Sequence, residues 1–196
     1  MHTTRKLAAA GLAVGLLFTT AACGKVAEKV GEKAAEKAAG DGTKVDLGNG
    51  KVKVTDKDGN SYEADENGGK VHTSDGDTDY STGDSTKLPD EWPSELDPPK
   101  GTKLTSAISS VNAASPGMSV TATIDGSPKD VYDGLKSQIQ GADGYTIETD
   151  SFTSASGSDG GILSAKGPKW EVFASVNADP SGGGSIISLT LSKPSS

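Results

Sequence analysis

One cysteine, Cys23, and two histidines, His2 and His72, are all that this 196-residue chain offers for thiol or imidazole chemistry. A lone cysteine cannot close an intramolecular disulfide, so the fold is not a stapled scaffold. The same scarcity argues against a zinc site, which draws mainly on Cys and His ligands. Aromatic residues make up only 5% of the chain. Apart from one run near the N-terminus, long apolar stretches are missing, which excludes a polytopic membrane protein. A cationic surplus is missing as well: 19 Lys and Arg face 27 Asp and Glu, a net charge of −8 that excludes nucleic acid as a partner. Neither G-x-x-x-x-G-K-[ST] nor G-x-G-x-x-G occurs, so no phosphate-binding loop is signalled. Glycine, by contrast, is abundant at 26 residues, but without the period of three that a collagen requires.

The N-terminal run carries an address. Arg5 and Lys6 form a basic start, residues 7–18 are apolar and rich in Ala, Leu and Gly, and Thr19-Thr20-Ala21-Ala22 precede Cys23-Gly24. The apolar run has the length of an export-signal core and is too short to span a bilayer comfortably. This stretch resembles bacterial lipoproteins, whose lipobox is a few small residues ending in an invariant cysteine. The resemblance implies cleavage before Cys23, a diacylglyceryl thioether on its sulfur and acylation of its amino group. An ordinary signal peptide is the alternative, since Thr20-Ala21-Ala22 also suits the general signal peptidase. Lipidation accounts for a leftover thiol in an exported chain, and several acyl chains make anchoring stable at about 0.8 kcal/mol per buried CH₂.

Composition divides the chain into residues 1–22, a signal peptide; 23–40, a lipidated Cys and helical tether; 41–87, an acidic Gly/Asp-rich β-meander or partly disordered segment; and 88–196, a small domain. In the tether, Glu28, Glu32 and Glu36 form one row and Lys25, Lys29, Lys33 and Lys37 another. Like charges at i,i+4 are unfavourable, so a marginal helix is expected. In the acidic segment, Gly48-Asn49-Gly50, Asp58-Gly59-Asn60, Asn67-Gly68-Gly69 and Asp75-Gly76 separate short alternating runs.

In the last segment residues 104–111 and the strictly alternating Met118, Val120, Ala122 and Ile124 read as strands. Ser127 is an N-cap, Pro128 stands at N1 and Asp130 at N3, opening a helix with a Val131, Tyr132, Leu135, Ile139 stripe that ends near Gly141. Tyr145, Ile147 and Thr149, the pair Ile162-Leu163, Trp170 to Val176, and Ile187, Leu189 and Leu191 supply further strands. The expectation is an α+β fold, a two-layer domain of one helix on an antiparallel sheet in the order β-β-α-β-β-β, with a Ser/Thr-rich opposite face that could be solvated. This layout, with its Pro/Trp lead-in, resembles the C-terminal domains of uncharacterised actinobacterial-type lipoproteins, a resemblance that brings no activity with it.

Little in the chain suggests catalysis. His72 lies in a polar, turn-rich stretch without a nucleophile elbow, and carboxylate pairs such as Asp90 and Glu91 arise by chance among 27. Asp56, Asp58 and Asn60, and again Asp75, Asp77 and Asp79, place oxygen ligands at positions 1, 3 and 5 as calcium loops do. Ser61 and Tyr80 stand where such a loop needs Gly, and Asn67 and Thr86 where it needs the bidentate Glu, so hairpin turns are the preferred reading and no metal or cofactor is expected. Trp170, in phase with Val172, belongs to a core, and Trp92 to the packing of its Pro-rich segment. The function expected is that of an exported, non-enzymatic protein, lipid-anchored on the outer face of the cell membrane, whose domain binds an envelope protein or wall component. A carboxylate-using envelope enzyme or hydrolase accessory, and a calcium-stabilised adhesion module, are the alternatives.

Overall fold

Alternation of small apolar and polar residues, interrupted by glycine-bearing turns, makes most of this chain extended. The structure, a computed structural model, describes residues 32–33, 36–37, 42–48, 50–110, 116–154 and 159–194. The signal, Cys23 and most of the tether lie outside the described residues. The chain divides into two compact units, residues 1–74 and 75–196.

The first unit is an antiparallel meander of β1 (Lys44–Gly48), β2 (Lys51–Thr55), β3 (Ser61–Asp65) and β4 (Gly68–Thr73). One face gathers Val45, Val52 and Val54, with Leu47 and Tyr62 packed against them. The other carries charge: Lys51 and Lys53 reach Glu63 at 3.7 Å each, all well exposed and therefore worth little to stability. Strand β1 is an edge, and two of its amides are met by helical carboxylates of the tether. Val45 N–H donates to Glu36 Oε1 at 3.2 Å, and Leu47 N–H to Glu32 Oε1 at 3.0 Å.

The second unit contains β5 (Gly76–Thr82), a 3-10 turn (Ser94–Leu96), β6 (Lys103–Ser110), β7 (Gly117–Asp125), α1 (Pro128–Gly141), β8 (Thr146–Thr153), β9 (Gly160–Lys166), β10 (Glu171–Ala178) and β11 (Gly184–Ser192). Its strands run antiparallel in the order β5-β6-β7-β11-β10-β9-β8. Helix α1 starts where expected: Ser127 Oγ accepts from Asp130 N–H at 3.2 Å and its hydroxyl donates to Asp130 Oδ2 at 2.7 Å. Its stripe Val131, Tyr132, Leu135 and Ile139 is buried against strands β8 to β11. Trp92 and Leu96 close the core from the Pro-rich lead-in, tied by the indole N–H donating to Leu96 O at 3.1 Å. Gln138 Nε2 fastens that lead-in to α1 through Asp97 O at 2.8 Å.

The expected two-layer α+β domain of order β-β-α-β-β-β is overturned. Among the described residues eleven strands stand against α1 and a few helical residues of the tether, so the fold is predominantly antiparallel β. Strand β5 was hidden because Gly76-Asp77-Thr78-Asp79 has turn composition, and it is held by its ladder to β6 rather than by apolar burial. Strand β9 begins at Gly160-Gly161, which reads as loop. Glycine is required at 161 by close approach: a Cβ there would stand 2.5 Å from the Tyr132 ring and 2.8 Å from Phe152.

Candidate functional surface

Strands β7, β9, β10 and β11 alternate between buried and open positions, and the face turned away from α1 is open. Cross-strand register aligns Thr149, Ser164, Phe173, Thr190, Ser119, Ile108 and Tyr80 in one row. The adjacent row is Ser151, Ile162, Ser175, Ser188, Thr121, Ser106 and Thr82. Neither row holds a charged residue, although the chain carries 27 carboxylates. Its large apolar members stand out into solvent, with Ile108 45%, Ile162 46% and Phe173 47% exposed. With strands about 4.8 Å apart, the seven strands span about 29 Å.

Charge returns at the ends of the face. Lys166 and Glu171 pair at 3.9 Å at one end. At the other lies a shallow depression of about 630 Å³ between Ser151, Thr153, Ile162 and Asn177, with Asp159 and Asp179 on its rim. A Cβ at Gly160 would come within 2.7 Å of Asn177 Oδ1, so glycine keeps that floor low. Asp179 accepts from the Ser181 hydroxyl at 2.6 Å and the Ser181 amide at 2.8 Å, and these bonds hold its carboxyl below the usual value. Hydroxyls on the face bond to one another where they meet: Ser119 and Thr190 at 3.2 Å, Thr78 and Ser110 at 2.8 Å. Each hydroxyl has donor or acceptor capacity beyond one such bond.

On the helix side a second polar group forms. Tyr132 OH donates to Asp150 Oδ1 at 2.6 Å, and the Lys136 ammonium to Asp150 Oδ2. Burial, then the Asp150 bond, pushes the Tyr132 phenol up to about 12. Lys136, then Tyr132, holds the Asp150 carboxyl down. A phenol held protonated and a carboxylate held ionised by a fixed cation form a brace rather than an acid–base pair.

The residues singled out from sequence are not drawn together. Cys23 lies outside the described residues. Asp56 Oδ1 accepts from the Asp58 and Asn60 amides at 2.8 and 2.9 Å, and its Oδ2 from Asn60 Nδ2 at 2.8 Å. Those bonds, the Asn60 side chain's first, lower its carboxyl below the usual value and use it to anchor the β2–β3 turn. Asp75 sits in a turn, while Asp77 and Asp79 are exposed on the extended strand β5, which does not fold back around a centre. Among the described residues no three His, Cys, Asp or Glu side chains are grouped to hold a metal ion. Asp90 and Glu91 are exposed ahead of buried Trp92, and His72 is exposed on β4. Trp92 and Trp170, 8% and 6% exposed, are core residues and present no stacking surface. The open face was signalled only as the Ser/Thr phase of the strand alternation. Phe173 and Ile162 belong to that phase and break its polarity.

No family model matches the chain, and no curated protein matches it. Among solved structures, the solution structure of cyanobacterial PsbP (CyanoP) from Synechocystis sp. PCC 6803 is similar over 89% of this chain and 86% of that one, at 13% identity and a TM-score of 0.32. A likeness that slight carries no argument about fold or activity.

Proposed function

We propose that this is an exported, lipid-anchored envelope protein whose second unit is a non-catalytic binding module working through its open sheet face. The charge-free face is the observation that carries the reading. A contiguous uncharged surface with exposed Ile108, Ile162 and Phe173, rimmed by charge, has the anatomy of an interaction surface. Anchoring rests on Arg5, Lys6, the apolar run and Cys23. No helix among the described residues is long and apolar enough to cross a membrane.

The test has two arms in the exporting cell. Incorporation of a labelled fatty acid is expected in the wild type and absent in Cys23→Ala; incorporation in both sinks the anchor. A photo-cross-linking residue replacing Ser188, at the centre of the face, is expected to capture an envelope component in the anchored protein. The same residue replacing Gln140, on the exposed side of α1, is expected to capture none. Equal yields from the two positions contradict the assignment of the face.

A further inference from the structure

Resting on that reading, we propose that the open face binds an uncharged polysaccharide chain, laid along β10 from Phe173 past Ser175 into the depression beside Ile162 and Asn177.

Charge selects first. A polyanion meets no cation in either central row and must approach a molecule of net charge −8, with Asp159 and Asp179 standing at the depression. A polycation meets no anion across the strands until it reaches those two carboxylates. An uncharged ligand incurs neither penalty. Hydrogen bonding selects next. Hydroxyls of Ser151, Ser164, Ser175 and Ser188, with the Asn177 amide, offer donors and acceptors at the regular spacing of a sheet. A polymer whose own hydroxyls both donate and accept can satisfy such a lawn, whereas an apolar partner would leave it unpaired at about 1–3 kcal/mol per group. The flat ring of Phe173 and the aliphatic side chain of Ile162, each almost half exposed, supply apolar contacts for the carbon–hydrogen faces of sugar rings. Asp159, Asp179 and Asn177 at the depression suit the hydroxyls of a chain end or branch.

Area separates a polymer from a second copy of this chain. At about 4.8 by 6.8 Å per side chain, the two uncharged rows present roughly 450 Å². A stable protein–protein contact needs about 800 Å² from each partner, so a second copy would have to bury the charged ends too. A narrow chain needs only the rows.

The experiment is affinity electrophoresis of the purified full chain through gels holding a neutral α-glucan, β-1,4-glucan, mannan or galactan, with heparin as the anionic control. Retardation by at least one neutral polymer is expected and none by heparin. Phe173→Ala is expected to weaken it at least fivefold and Ser188→Glu to abolish it, both at unchanged melting temperature because these side chains face solvent. Mobility unaffected by all four neutral polymers overturns the proposal, as does retardation that survives both substitutions. A dimer in sedimentation that Ser188→Glu breaks, with no retardation by any glycan, overturns it in favour of a second copy. If the gels fail while the Ser188 cross-linker still captures an envelope component, the polysaccharide assignment fails and the binding reading stands.

Discussion

Tyr132 joins core packing to surface electrostatics in one residue. Its ring lies under β9 against Phe152, with centroids 5.3 Å apart, and its hydroxyl reaches Asp150. Since its folded pKa is about 12 against an ordinary 10.0, the folded state holds the phenolic proton more tightly. That contribution is full below pH 10 and disappears as pH rises toward 12. A spectroscopic titration of tyrosinate is expected to show a late-ionising group that Tyr132→Phe removes; a set of tyrosines all ionising near 10 in the wild type would contradict the buried brace. Asp150 works in the opposite direction. Its carboxyl is held below the ordinary 3.8, so its stabilisation is present above that value and is lost as pH falls through the folded pKa. Gly161 is the packing counterpart. Gly161→Ala forces a methyl into the Tyr132 and Phe152 rings and is expected to cost about 2 kcal/mol in denaturant unfolding, where no loss would contradict the close approach. Neither role was legible beforehand. Sequence placed Tyr132 on the helix stripe, but its partner Asp150 lies eighteen positions away, on a strand whose register only the fold sets.

At the scale of elements, helix α1 was the most legible part, because Ser127, Pro128 and the 131–135–139 stripe act locally. Strands β7, β10 and β11 were legible for the same reason, their alternation being set by one buried face. Strand β5 was not, and of β9 only the pair Ile162-Leu163 was, since a ladder satisfies backbone groups without asking for large side chains. The tether carries a less obvious lesson. A carboxylate row at i,i+4 looks like self-repulsion on an isolated helix, but its repeat of about 6 Å lies close to the two-residue repeat of a strand, about 6.8 Å. Glu32 and Glu36 therefore meet Leu47 and Val45 in step and occupy the open edge of β1. An unprotected edge invites strand addition. In Glu32→Ala/Glu36→Ala, hydrogen exchange at the Val45 and Leu47 amides is expected to quicken by about tenfold, the scale of a charge-assisted bond worth about 1.5 kcal/mol. Exchange unchanged at both amides would show that the carboxylates do not protect the edge.

For the molecule as a whole, the informative pattern is where charge is withheld. An acidic chain keeps two rows across the seven strands of its second unit free of charged side chains, and sets three large apolar groups among hydroxyls there. Solvation alone would be served by charge on this face, as it is by Lys51, Lys53 and Glu63 on the first unit. The Ser/Thr phase was visible in the sequence; that seven strands bring it into one surface was not, because strand order depends on pairings such as β7 with β11, far apart along the chain. The most direct measurement is retention of the purified full chain on isolated cell envelopes, wild type against Ser188→Glu, with melting temperatures recorded alongside. The account predicts that Ser188→Glu loses at least tenfold in retention at an unchanged melting temperature, whereas equal retention of the two proteins would contradict it.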